Sequence, residues 1–87
     1  MNMKRYWFEF EVTNVRYDLA LGCGVTAYNH ADALHLLEDL VFKEKAIPIP
    51  KKTIEDVDIS TLDARHVLLN MGPPNMRGVW YPLGYSW

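Results

Sequence analysis

Eighty-seven residues, 49% of them hydrophobic and 23% charged, suffice for one small core, which sets aside a disordered chain and a two-domain enzyme. Nine Lys and Arg against eleven Asp and Glu leave a net charge of -2, which argues against generic attraction to nucleic acid or to a membrane surface. The single cysteine, Cys23, cannot form a disulfide within the chain, so no oxidising compartment is called for.

The N-terminus carries Lys4 and Arg5, but Glu9 and Glu11 interrupt the apolar stretch that follows, so no secretory signal is expected. The longest uncharged stretch, Leu19 to Ala31, contains two glycines, an asparagine and a histidine and is far shorter than the roughly 20 apolar residues of a spanning helix. These features predict a cytoplasmic protein whose residues 1–87 form a single compact domain, with loops at 47–52 and 72–78.

From Tyr6 to Val12 apolar side chains alternate with Trp7, Glu9 and Glu11, the two-residue period of a half-buried strand. Tyr17 to Ala27 repeats the alternation. A two-residue turn at Asn14 and Val15 would pair Phe10 with Leu19, Phe8 with Leu21 and Tyr6 with Cys23, placing Trp7 opposite Gly22, where an indole can shield a strand lacking side chains. Asn29 followed by Asp32 marks a helix N-terminus near His30. The stripe Ala33, Leu34, Leu37, Leu40 and Val41 runs at helical spacing until Ile47-Pro48-Ile49-Pro50 stops it, with Lys43 and Lys45 in the last turn. Ile54 to Ile59 predicts a third strand with Val57 and Ile59 inward. Ser60 then caps a shorter helix with Asp63 at its third position and Val67, Leu68 and Met71 inward, and Val79 to Leu83 forms a last strand that Pro82 confines to an edge or a strand end. The expected fold is α+β: an antiparallel sheet of about four strands in ββαβ(α)β order, with one main helix packed on one face.

Candidate chemistry is sparse. His30 and His35 lie about 140° apart around a helix, no Cys-x-x-Cys or His-Glu-x-x-His pattern occurs, and no metal or other cofactor is predicted. Cys23, flanked by Gly22 and Gly24, falls on the inward strand face, where a thiol behaves as a small hydrophobe, so no catalytic residue is assigned and the chain is read as no enzyme. Two features stand out. One is the acidic group Glu55, Asp56, Asp58 and Asp63, which read blandly is a solubility face. The other is the aromatic C-terminus from Trp80 to Trp87, in which Trp80 suits the core and Tyr85 and Trp87 suit an interface.

The segments Asp58-Ile59-Ser60-Thr61-Leu62-Asp63, Asn70-Met71-Gly72-Pro73-Pro74 and Arg77-Gly78-Val79-Trp80-Tyr81-Pro82-Leu83-Gly84-Tyr85 resemble a family of small bacterial proteins similar to the cytosolic immunity proteins of toxin systems. The resemblance covers mainly the C-terminal half and includes no catalytic motif. It implies a non-catalytic protein-binding module that inhibits a protein partner, such as a cognate toxin, by occluding it. The partner-binding residues expected for that role are Glu55, Asp56, Asp58, Asp63, Trp7, Tyr85 and Trp87, the acids standing in for the phosphates that a basic nuclease cleft binds. The competing readings are a structural or regulatory homo-oligomeric subunit, such as a homodimer, and a minimal enzyme using Cys23 or the histidines.

Overall fold

A computed structural model describes residues 2–11, 21–43 and 47–82. Its regular elements are β1 (Lys4–Glu9), β2 (Cys23–Ala27), α1 (His30–Leu36), β3 (Lys52–Glu55) and β4 (Gly78–Tyr81). The strands form one antiparallel sheet in the order β3-β1-β2-β4, so β2 and β3 run in the same direction on either side of β1, with α1 in the connection between them. This is the expected α+β architecture with one main helix.

Alternation along β1 divides the interior into two layers. Tyr6, Phe8 and Phe10 join Cys23, Val25, Ala27 and Val79 against Ala33, Leu36, Leu37 and Val41 of the helical segment. Trp7 points to the opposite face, where it meets Val57, Val67, Trp80 and Tyr81, with Ile54, Ile59, Leu62 and Met71 packed around them. The sheet is therefore covered on both faces, by the helix on one and by the segment between β3 and β4 on the other.

The hairpin ladder pairs Tyr6 with Val25, Trp7 with Gly24 and Phe8 with Cys23, two residues away from the register that a turn at Asn14 and Val15 predicts. Asn14, Val15 and Leu19 lie outside the described residues, and Leu21 sits in a turn before β2. A slip of two residues keeps every side chain on its face, so apolar alternation alone does not distinguish the two registers. Between β2 and β4 the ladder pairs Gly24 with Tyr81 and Val25 with Val79, leaving Trp80 as an extra residue in β4. That bulge turns the consecutive residues Trp80 and Tyr81 toward one layer, while Val79 lies in the other.

Helix α1 begins as expected. The Asn29 side chain accepts from Asp32 N–H at 2.8 Å, and Asp32 reaches back to accept from Tyr28 N–H at 3.1 Å. After Leu36 the chain widens into a π-helical segment, Leu37–Phe42, ending where Lys43 N–H donates to Glu38 O and Lys43 turns left-handed at φ 47°. Lys45 lies outside the described residues.

Two expectations are corrected beyond that point. The third strand is Lys52–Glu55 rather than 54–59, because Asp56 turns left-handed at φ 59° and breaks the pleat. Val57 is nevertheless buried, held by donating its N–H to Arg5 O at 2.8 Å. The predicted second helix is a pair of short 3₁₀ turns, Ile59–Thr61 and Leu68–Asn70. Asp58, not Ser60, caps the first by accepting from both the N–H and the hydroxyl of Ser60. Asp63 Oδ1 accepts from the N–H groups of Arg65 and His66 instead of occupying a third helical position. Val67 is buried as expected, whereas Leu68 and Met71 are half-buried. β4 is an edge strand that ends before Pro82, and Leu83 lies outside the described residues.

Candidate functional site

The four acids expected to bind a partner are all exposed. Three of them already serve the fold. Glu55 accepts from the Lys4 ammonium at 2.6 Å, which holds its carboxyl below the usual carboxylate range and raises the lysine. Hydrogen bonds from the Ser60 hydroxyl and amide lower the Asp58 carboxyl. Asp63 is lowered by His66, whose Nδ1 lies 3.1 Å from Oδ2, and by the amides of His66 and Arg65. Asp56 differs. It stands at the left-handed corner after β3 and lines an open depression of about 310 Å³ with Asn2, Met3, Arg5, Thr26, Pro74 and Asn75.

The aromatic expectations divide. Trp7 is 3% exposed, so its indole is a core element rather than a surface anchor. It stacks on Trp80 with centroids 6.0 Å apart and meets Tyr81 at 5.7 Å, while its Nε1 donates to Glu9 Oε2 at 3.0 Å. Trp80 is in the core, where the sequence places it. Tyr85 and Trp87 lie outside the described residues.

The depression lies at the end of the sheet where Arg5 pairs with Thr26. Its floor is tied together at one carbonyl: Pro74 O accepts from Thr26 Oγ1 at 2.6 Å and from Arg5 Nε at 3.3 Å. The same segment then passes Met76, which is exposed, and reaches Arg77. Arg77 grips Asp32 through Nε and Nη2, at 3.0 and 2.5 Å, and lies over the Tyr28 ring with Cζ 5.5 Å from its centroid. This fork holds the Asp32 carboxyl below its ordinary range. Met3 precedes β1 and Tyr28 follows β2 at the same end of the hairpin, and both are exposed. This sheet end, or rim, carries the exposed side chains Met3, Tyr28 and Met76, and a polar hollow lined by Arg5, Asp56 and Asn75. Sequence reasoning missed it because its members come from four separate stretches of chain; only Asp56 belongs to the expected set.

Elsewhere the titratable groups are dispersed. Cys23 is fully buried, His35 pairs with Asp39 at 3.2 Å, and His30 contacts the rings of Tyr6 and Phe8. Among the described residues no three His, Cys, Asp or Glu side chains gather where a metal ion could sit, and no helix is long and apolar enough to cross a membrane. Compared with family models, curated proteins and solved structures, the chain matches none.

Proposed function

We propose that this chain is a non-catalytic protein-binding module of the immunity-protein kind, which inhibits a protein partner, such as a toxin, by covering its working surface. The observation that carries the reading is the sheet-end rim. Methionine, tyrosine and arginine are side chains that protein interfaces favour, and here they stand exposed at the sheet end that carries a hollow containing both a carboxylate and a guanidinium. The Arg77–Asp32 fork braces the Tyr28 ring, so the surface is organised before a partner arrives and loses less freedom on binding. Asp56 opens the acidic run Asp56, Asp58 and Asp63, which would steer the rim toward a basic cleft.

The test begins with the tagged chain as bait in an extract of its source organism, at low salt and again with salt added. The captured protein is then purified and assayed for its own activity with and without the chain. Stoichiometric inhibition that is lost in Tyr28→Ala and Met76→Asp, with both variants folded, supports the reading. A partner whose activity is unaffected by saturating amounts of the chain would refute inhibition, and equal binding by both variants would remove the rim from the surface.

A further inference from the structure

The two edges of the sheet are finished differently. β4 is buried along its length, and its outer rim is occupied where Gly72 N–H donates to Trp80 O at 2.7 Å. On the β3 side, the carbonyls of Glu9 and Arg5 accept from Lys51 and Val57 N–H, so the odd residues of β1 face β3, the pairs Glu9–Lys52 and Trp7–Ile54 carry the ladder hydrogen bonds, and the amides of Thr53 and Glu55 point outward. Lys52, Thr53 and Glu55 are exposed, and among the described residues β3 pairs with β1 alone.

The charges along this rim have a direction. Lys51-Lys52-Thr53-Ile54-Glu55-Asp56 passes from two cations to two anions, so the segment complements itself only when turned end for end. We propose that β3 pairs antiparallel with β3 of a second copy of this chain, about a two-fold axis at Thr53, joining the two sheets into one. Strand parity requires opposed residues to share a face, and a centre at Thr53 satisfies this. Thr53 then faces Thr53 of the second copy and exchanges main-chain hydrogen bonds with it, and Lys51 lies opposite Glu55 of the second copy. Lys4 donates to Oε1 of Glu55, and a carboxylate has the capacity to accept a second ammonium at Oε2. Ile49, 90% exposed and just ahead of Lys51, is carried toward the corner formed by Asp56 and Val57 of the second copy, which gives this apolar side chain a cover. A parallel arrangement would set lysine against lysine. Assembly stops at two because the β4 rim is occupied.

Sedimentation equilibrium of the full chain tests this. The wild type is expected to dimerise at about 100 μM, as a small edge contact requires. Lys51→Glu and Glu55→Lys should each weaken dimerisation by about tenfold or more, since each turns both cross-strand pairs repulsive. An equimolar mixture of the two variants should recover it, because residues 51 and 55 are then opposite in sign at both contacts. Thr53→Pro, which removes an outward donor and leaves the Lys52 and Ile54 bonds to β1 in place, should also weaken it. Circular dichroism checks that each variant is folded. A monomeric wild type, a dimer indifferent to these changes, or a mixture that fails to recover would each overturn the proposal.

Discussion

The ring of Trp80 lies over the backbone of Gly24 so closely that a Cβ on that glycine would overlap Cη2, Cζ3 and Cε3 of the indole. Gly22 stands in the same relation to Trp7, with a hypothetical Cβ 2.8 Å from Cζ2 and 2.6 Å from Phe8 O. The two glycines of Gly22-Cys23-Gly24 therefore make room for two indoles, while Cys23 between them enters the opposite layer.

Gly24→Ala is expected to destabilise the protein by about 1–3 kcal/mol, the usual cost of forcing an extra methyl into a packed site. Gly22→Ala should cost more, because φ 126° is unsuited to alanine and the clash includes a carbonyl oxygen that cannot swing away. Urea denaturation of both variants checks the order. Equal stability to wild type at Gly24 would mean that Trp80 does not lie over the strand.

The two indoles differ in their N–H groups. Trp7 Nε1 donates to Glu9, whereas Trp80 Nε1 is buried and finds no acceptor among the described residues. Replacing each by phenylalanine removes similar apolar bulk, but among the described residues only Trp7→Phe breaks a hydrogen bond, while Trp80→Phe removes a donor that has no acceptor there. Trp7→Phe should therefore be the more destabilising change by about 1 kcal/mol, measured by chemical denaturation of both variants. The reverse order would require an acceptor for Trp80.

The acid limb of stability should depend on Asp32. Its carboxyl is held low chiefly by the Arg77 fork and also by Tyr28 N–H. A group whose folded pKa is depressed contributes stability above its unfolded pKa and loses that contribution as pH falls through the folded value. Melting temperature should thus fall as pH drops below about 4, where the unfolded carboxylate begins to protonate. Glu55, Asp58 and Asp63 shift in the same direction. Asp32→Asn keeps an acceptor for Tyr28 N–H but cannot ionise, so its profile should be flatter than wild type without becoming level. Parallel profiles would show that the fork carries no charge-dependent stability.

Much of this architecture can be read from the sequence, and the misreadings have definite physical sources. β1 and the Asn29 cap follow from short-range rules, alternation and a side-chain acceptor, that depend on few neighbours. A turn at Asn14 and Val15 predicts a hairpin register two residues away from the observed one, and a two-residue slip leaves every apolar residue on its correct face. Val57 gave the third strand its false extension: its burial comes from the chain folding back after Asp56, an effect outside any periodic pattern. The bulge at Trp80 likewise violates the rule that consecutive strand residues face opposite ways, so the joint burial of Trp80 and Tyr81 against Trp7 was not legible. The same burial withdraws Trp7 from the expected binding set. The rim itself depends on tertiary ties, Pro74 to Thr26 and Arg77 to Asp32, that bring distant residues together.

Asp56 is where the expected acidic surface and the observed rim coincide, and it is the most informative acid to change. Glu55, Asp58 and Asp63 each hold a partner within the chain, so their replacement alters local structure along with charge. At φ 59° Asp56 occupies a conformation that asparagine accepts more readily than alanine or lysine, so Asp56→Asn removes the charge and keeps the backbone. The variant should melt within about 2 °C of wild type, as an exposed change with little effect on stability should. Its association with the captured partner should be slower and less sensitive to salt, because a long-range attraction has been removed. Stopped-flow association at low and high ionic strength measures both effects. If the on-rate and its salt dependence match wild type while the complex dissociates faster, Asp56 acts as a local contact and the acidic run does not steer the encounter.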